Sequence, residues 1–166
     1  MIKINEEPFS GLPIMAYYLC LKKINTTKVI LDGSGLDESH MGYDKYFNKE
    51  LTISDNFNSA QDGSKSILAN IVQNNLKNKY SGFKENIDLP FDNILNNSKY
   101  LDLLFLKLPR ALRFRDKLSM SMGKEIRPCF LNKDLIVSLF KIKPEEQFKN
   151  GVGKFLLRDI FKDDIT

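Results

Sequence analysis

The chain has 166 residues, 42% of them hydrophobic and 28% charged, with a formal net charge of +4. That length fits one domain or part of a larger one, with the composition of an ordinary soluble globular protein. No apolar run is long enough to span a bilayer and no signal-peptide pattern is present; the scattered lysines form no basic run, which argues against a nucleic-acid partner. Cys20 and Cys129 lie far apart without metal-ligand spacing, so free thiols in core positions of a reducing, cytoplasmic protein are expected.

Ser10-Gly11-Leu12-Pro13 reads as a helix entry, and Leu12, Met15, Leu19 and Ile24 follow at helical spacing, predicting a helix over 11–24. Asn25-Thr26-Thr27 ends it, and Val29-Ile30-Leu31-Asp32 then reads as a strand buried on both faces. A second helix is predicted over Glu38–Phe47, a loop over Asn56–Ser64, and a helix over Ser66–Lys79 with Ile67, Ile71, Val72 and Leu76 on one face. Past Pro90 comes the apolar stretch Tyr100–Leu106. Pro109 then starts a helix through about Met122, Asn132 caps another over Asp134–Phe140, and Lys154–Phe161 forms the last. The chain thus divides into a helix–strand–acidic loop part (1–50), a variable insert (51–99) and a helical part (100–166). A lone strand with unpaired edges needs sheet partners, so an incomplete domain is expected, mostly helical with one or two strands.

The most informative segment is the turn after the strand, Gly33-Ser34-Gly35-Leu36-Asp37-Glu38. Glycines there let backbone N–H groups approach a ligand, and adjacent carboxylates at the carboxyl end of a strand suit a hard cation such as Mg2+. The alternative is a plain turn leading into a solvated helix start. His40, the only histidine, has no nucleophile and carboxylate arranged around it and reads as a satisfied helix-surface residue.

Three ordered motifs resemble the synthetase domain of the asparagine synthetase family. Leu31-Asp32-Gly33-Ser34-Gly35-Leu36-Asp37-Glu38, closing with Gly42-Tyr43, resembles that family's Gly-Glu-Gly-x-Asp-Glu…Gly-Tyr loop. Arg115 through Asn132, with Ser119-Met120, Gly123, Glu125, Arg127 and Phe130-Leu131, resembles its Asp-Arg-x-Ser-Met…Gly-x-Glu-x-Arg-x-Pro-Phe-Leu-Asp signature. Lys154-Phe155-Leu156-Leu157-Arg158 matches Lys-x-x-Leu-Arg. Within the second motif the residues themselves read structurally. Glu125 and Arg127 form an ion pair, Asp116 pairs with Arg113 or Arg115, and Met120, Met122, Phe130 and Leu131 are core.

The resemblance implies an α/β fold of the adenine-nucleotide α-hydrolase type, related to the Rossmann fold. It implies ATP-dependent adenylation of a carboxylate followed by amide formation with ammonia, with ATP and Mg2+ as cofactors. Asp32, Gly33, Ser34 and Gly35 would line the nucleotide, Asp37 and Glu38 would hold the metal, and Lys154 and Ser34 would occupy catalytic positions. Ser34, however, stands where the family has a glutamate, and a hydroxyl cannot serve as a carboxylate base at neutral pH. The family's Ser-Gly-Gly-x-Asp-Ser loop and its glutaminase cysteine are absent from the chain, Pro128-Cys129 shifts the proline and Asn132 replaces an aspartate. The expectation is a divergent amidotransferase acting on aspartate or on a sugar acid of a polysaccharide precursor. Its ammonia would come from a glutaminase domain or subunit outside this chain, and the isolated 166 residues would be inactive. The alternative is a non-catalytic truncated relic or helical binding module.

Overall fold

The computed structural model describes residues 1–8, 11–47 and 87–164; the predicted cap at Ser10, the loop at Asn56–Ser64 and the helix at Ser66–Lys79 lie outside them. Branched Val29, Ile30 and Leu31 favour extended backbone and form β1 (Val29–Asp32). Its partner is β2 (Glu125–Pro128), parallel and in register from Val29 opposite Glu125 to Asp32 opposite Pro128. The Glu125 N–H extends the ladder to the Lys28 carbonyl at 2.7 Å. Parallel neighbours need a long crossover, and the helices between the strands supply it. The sequence announces one convincing strand; β2 escapes it because Glu125-Ile126-Arg127-Pro128 has no apolar run, although Gly123, at φ 64°, turns the chain just before it.

The expectation that β1 is buried on both faces is overturned. Val29 is 38% and Leu31 72% exposed, while Ile30 and Asp32 are half-buried. The same alternation in β2 shows why: among the described residues, packing covers one face of this sheet. The described residues form a mostly helical assembly with a two-stranded parallel sheet, an arrangement compatible with an incomplete α/β domain.

The helices are α1 (Ile2–Asn5), α2 (Leu12–Lys23), α3 (Leu36–Ser39), α4 (Ile94–Leu104), α5 (Lys107–Met120), α6 (Lys133–Lys141), α7 (Pro144–Gln147) and α8 (Phe155–Ile160). The central one is α5, which packs on α4, α2, α1 and β2. Leu108, Phe114 and Leu118 recur on its inner face and bury against the core that also holds Leu101 and Leu103 of α4. Pro109 sits in its first turn, where no intrahelical N–H bond is lost. Asn93 and Asn132 cap α4 and α6, the latter accepting from Asp134 N–H at 2.9 Å and Leu135 N–H at 3.1 Å, each cap contributing about 1 kcal/mol.

Several local expectations change. The helix predicted over Glu38–Phe47 is broken: α3 ends at Ser39, Met41 turns left-handed at φ 54°, and a 3-10 turn follows at Asp44–Phe47. Lys154 precedes α8 rather than opening it. Within α2, Leu12 and Leu19 point outward, 78% and 59% exposed, so helical spacing was right but does not mark a buried face. Cys20, Cys129 and Met120 are exposed rather than core, whereas Met122, Phe130 and Leu131 are half-buried. Among the described residues no helix is long and apolar enough to cross a membrane.

Polar groups hold the interior of α4. Asp102, fully buried, receives the Lys45 ammonium at 2.5 Å and the Tyr46 hydroxyl at 2.5 Å. Lys99, also fully buried, donates to Gln147 Oε1 at 2.8 Å and the Leu139 carbonyl at 3.2 Å and lies over the Phe140 ring. These bonds tie α4 to α6 and α7 without a carboxylate partner for the lysine among them. Burial pushes the Lys99 ammonium down to about 8. An unfolded lysine titrates near ~10.4, so between these values the unfolded chain binds more protons and the folded state gains as pH rises. The unfolding free energy of the parent minus that of Lys99→Met should therefore increase by roughly 3 kcal/mol from pH 8 to about pH 10.5 in urea titrations. A difference that stays flat across that window would contradict this.

Candidate functional site

The acidic loop leaves the carboxyl end of β1 and runs beneath α5. Asp32, the last residue of β1, points inward and accepts the Ser34 N–H at 2.8 Å and the Arg115 Nη1 at 3.0 Å. The Ser34 hydroxyl donates to the same Asp32 oxygen and accepts from Arg115 Nη1. Ser34 is buried and its hydroxyl engaged on both sides, so it joins Asp32 to Arg115 rather than offering a free proton acceptor. Tyr17 of α2 donates to the other Asp32 oxygen at 3.4 Å; burial, and then the Asp32 carboxylate, raise its phenol to about 12.

Gly35 carries φ 88°, a conformation that favours glycine, and a Cβ there would lie 2.9 Å from Leu131 Cγ and closer still to Cδ2. Leu131 belongs to the turn directly after β2, so close packing fixes that turn against the loop. Beside Gly33 the space is open, with no atom within 4 Å of a notional Cβ.

Asp37, in the first turn of α3, pairs with Lys154 at 2.6 Å. The pair lies over Gly42: a Cβ on Gly42 would meet Asp37 Oδ1 and stand 2.5 Å from Lys154 Cε. Lys154 itself is left-handed at φ 57°, uncommon for a residue with a side chain. Glu38 turns the other way. It is buried and accepts the Tyr43 hydroxyl at 2.7 Å; burial, and next the Glu38 charge, raise the Tyr43 phenol well above its usual range and keep it a donor.

The structure brings most of the residues singled out in the loop together. Gly33, Ser34, Gly35, Asp37 and Glu38 line a small recess of about 90 Å³ with Tyr43 and Arg115, and Lys154 reaches it through Asp37. His40 is satisfied but buried rather than on the surface. Its Nδ1 shares a hydrogen bond with Ser39 Oγ at 2.7 Å, its ring meets Phe130 edge-on at 5.8 Å, and burial, with the Lys99 charge behind it, lowers its pKa. Arg113 pairs with Glu7 and Arg115 with Asp32, so neither makes the predicted pair with Asp116; Glu125 and Arg127 do pair, at 2.8 Å on the surface. The Arg115–Asp32 contact and the part played by Tyr17 escape the sequence, because no spacing announces which helical residue will reach a loop on another element.

Among the described residues no group of three or more His, Cys, Asp or Glu side chains gathers to cage a metal. Glu38 is committed to Tyr43 and Asp32 to Arg115, which leaves Asp37, partly exposed, as the carboxylate best placed for a cation. That donor set fits Mg2+ held by one carboxylate together with ligand phosphates, the mode this ion commonly adopts. Adding a methyl group beneath the Asp37–Lys154 pair should force it apart. Gly42→Ala is expected to lower the unfolding free energy by about 1–3 kcal/mol in chemical denaturation, and an unchanged midpoint would contradict the close approach.

The loop, its two flanking turns and the Asp37–Lys154 pair join all three sequence motifs in one place. No curated protein and no solved structure matches the chain. The family described as asparagine synthase matches residues 1–165. The chain therefore belongs to the asparagine synthase family.

Proposed function

We propose that the natural protein carrying this chain adenylates a carboxylate with ATP and passes the activated acyl group to ammonia. Membership of an ATP-dependent ligase family supports the reading. The observation that carries it is the Asp37–Lys154 contact at 2.6 Å over Gly42, an acid and a base brought from distant motifs to the edge of the glycine loop. The nucleotide-binding fold expected is that of the adenine-nucleotide α-hydrolases, of which the β1–β2 pair and its loops form one wall.

A carboxylate oxygen of the acceptor bonds to the α-phosphorus while the bond to pyrophosphate breaks and takes its electron pair with it. Ammonia nitrogen then bonds to the acyl carbon, the C–O bond to AMP breaks, and the surplus proton leaves the nitrogen. Mg2+, when bound, supplies charge neutralisation of the departing pyrophosphate. Asp37 would hold that ion, and Lys154, now paired with Asp37, would supply a cation to the phosphate oxygens. The backbone of Gly33, Ser34 and Gly35 lines the nucleotide; Ser34 and Asp32, clamped by Arg115, keep that loop in shape. Glu38 anchors Tyr43 through one carboxylate oxygen.

The sequence Ser-Gly-Gly-x-Asp-Ser does not occur in these residues, so the 166-residue chain alone is expected to lack part of the phosphate cradle. The test therefore uses the full natural protein. It should catalyse carboxylate-dependent exchange of labelled pyrophosphate into ATP, and Asp37→Asn should reduce that exchange by about a hundredfold or more. Exchange undiminished in Asp37→Asn would remove Asp37 from the site, and no exchange with any carboxylate would favour a non-catalytic binding module.

A further inference from the structure

A second cavity, of about 240 Å³, backs onto the recess at the glycine loop. Tyr100, Leu103 and Leu104 of α4 and Ile136 and Phe140 of α6 form its walls, and Leu108 and Leu131 complete them. No charged or amide side chain lines it among the described residues. The walls are held firmly. Leu103 and Leu108 are buried, and Phe140 stacks on Phe91 at 4.8 Å and carries the Lys99 ammonium over its ring at 4.6 Å. Leu104, 55% exposed, stands where the cavity meets solvent.

Two of these residues belong to the surroundings of the loop as well. Leu108 also lines the recess, so one side chain separates the two spaces. Leu131 packs on Gly35, where a Cβ would lie 2.9 Å from its Cγ, and the same leucine borders the cavity. Its hold on the loop is therefore only as firm as the support on its other side. The Gly35 carbonyl accepts the Ser39 N–H at 2.9 Å, which makes that amide a reporter of loop movement.

The lining restricts the occupant. A buried water needs about 2–4 polar partners, which these side chains do not supply. A stable protein–protein interface buries ~1,200–2,000 Å², far more than the mouth of such a cavity offers. An apolar cavity of ~150 Å³ takes benzene, so this one has room for roughly ten carbon atoms. We propose that the cavity is a binding site for a small uncharged apolar molecule and that its occupant braces Leu131 against Gly35. The site goes beyond the function proposed above; only its effect on nucleotide affinity rests on that reading.

Toluene is the probe, titrated into the full natural protein with isotope-labelled Leu and Ile methyl groups and followed by NMR. The Leu108, Leu131 and Ile136 methyl signals should shift together and saturate, whereas benzoate, the same ring carrying a charge, should move none of them. Saturating toluene should slow hydrogen exchange at the Ser39 amide about threefold or more. Ile136→Trp fills the cavity and Leu104→Trp narrows its mouth; each should weaken toluene about tenfold. Shifts matched by benzoate, scattered over the molecule or indifferent to both variants would overturn the site, and unchanged exchange at Ser39 would overturn the bracing. Toluene should also tighten the binding of a non-hydrolysable Mg-ATP analogue about threefold, and equal affinity with and without it would overturn the coupling. An analogue that fails to bind even without toluene would overturn the nucleotide reading instead, while the methyl and exchange results still decide the cavity.

Discussion

The parallel pairing of β1 with β2 is the constraint on which the rest depends. Two strands running the same way deliver their carboxyl ends to the same side, whatever the length of chain between them. The glycine loop after β1 and the turn after β2 are therefore neighbours, and the contacts that seal them are specific: Leu131 against Gly35, and Phe130 edge-on to His40. With the loop fixed in this way, α5 crosses above it and Arg115 reaches Asp32 and Ser34. A two-stranded sheet thus does little for the core here, yet it determines where the polar chemistry can assemble. This follows the general rule that open parallel sheets bind ligands beyond the carboxyl ends of their strands.

Charge is then distributed among the loop acids by their different surroundings. Asp32 is clamped by a guanidinium and one oxygen of Glu38 by a half-buried phenol. Asp37 alone meets a flexible ammonium at a partly exposed position, with a glycine below it that leaves room for both side chains. An ion pair of that kind is weak enough in water to exchange partners, unlike the buried Lys45–Asp102 pair in the body of the molecule. Adjacent acids on one short helix consequently play separate parts. Asp37 meets Lys154 at the edge of the loop, and Glu38 holds Tyr43.

How far the sequence reveals this depends on the physical origin of each feature. The run Val29-Ile30-Leu31, the cap at Asn132 and the tolerance of Pro109 in a first turn are local effects, and β1, α5 and α6 are legible from them. The motif residues Asp37, Gly42, Tyr43 and Lys154 are legible as a family pattern, although nothing in their spacing states that Gly42 supports the ion pair. Long-range placement is not legible. The polar strand Glu125-Ile126-Arg127-Pro128 exists because β1 needs a partner, and Arg115 faces the loop because α5 packs in one particular rotation. Burial is misread for a related reason: Leu12 and Leu31 are apolar and correctly spaced, but what decides their exposure is whether another element covers them.

The central claim is that Asp37 and Lys154 act together on one magnesium–nucleotide ligand. A double-mutant cycle measured by calorimetry, with a non-hydrolysable Mg-ATP analogue and the full natural protein, tests it most directly. Asp37→Asn and Lys154→Met should each weaken binding by about tenfold or more, and the double variant should be little worse than the weaker single, because the two groups serve the same ligand. Single variants that bind the analogue as tightly as the parent would contradict the account.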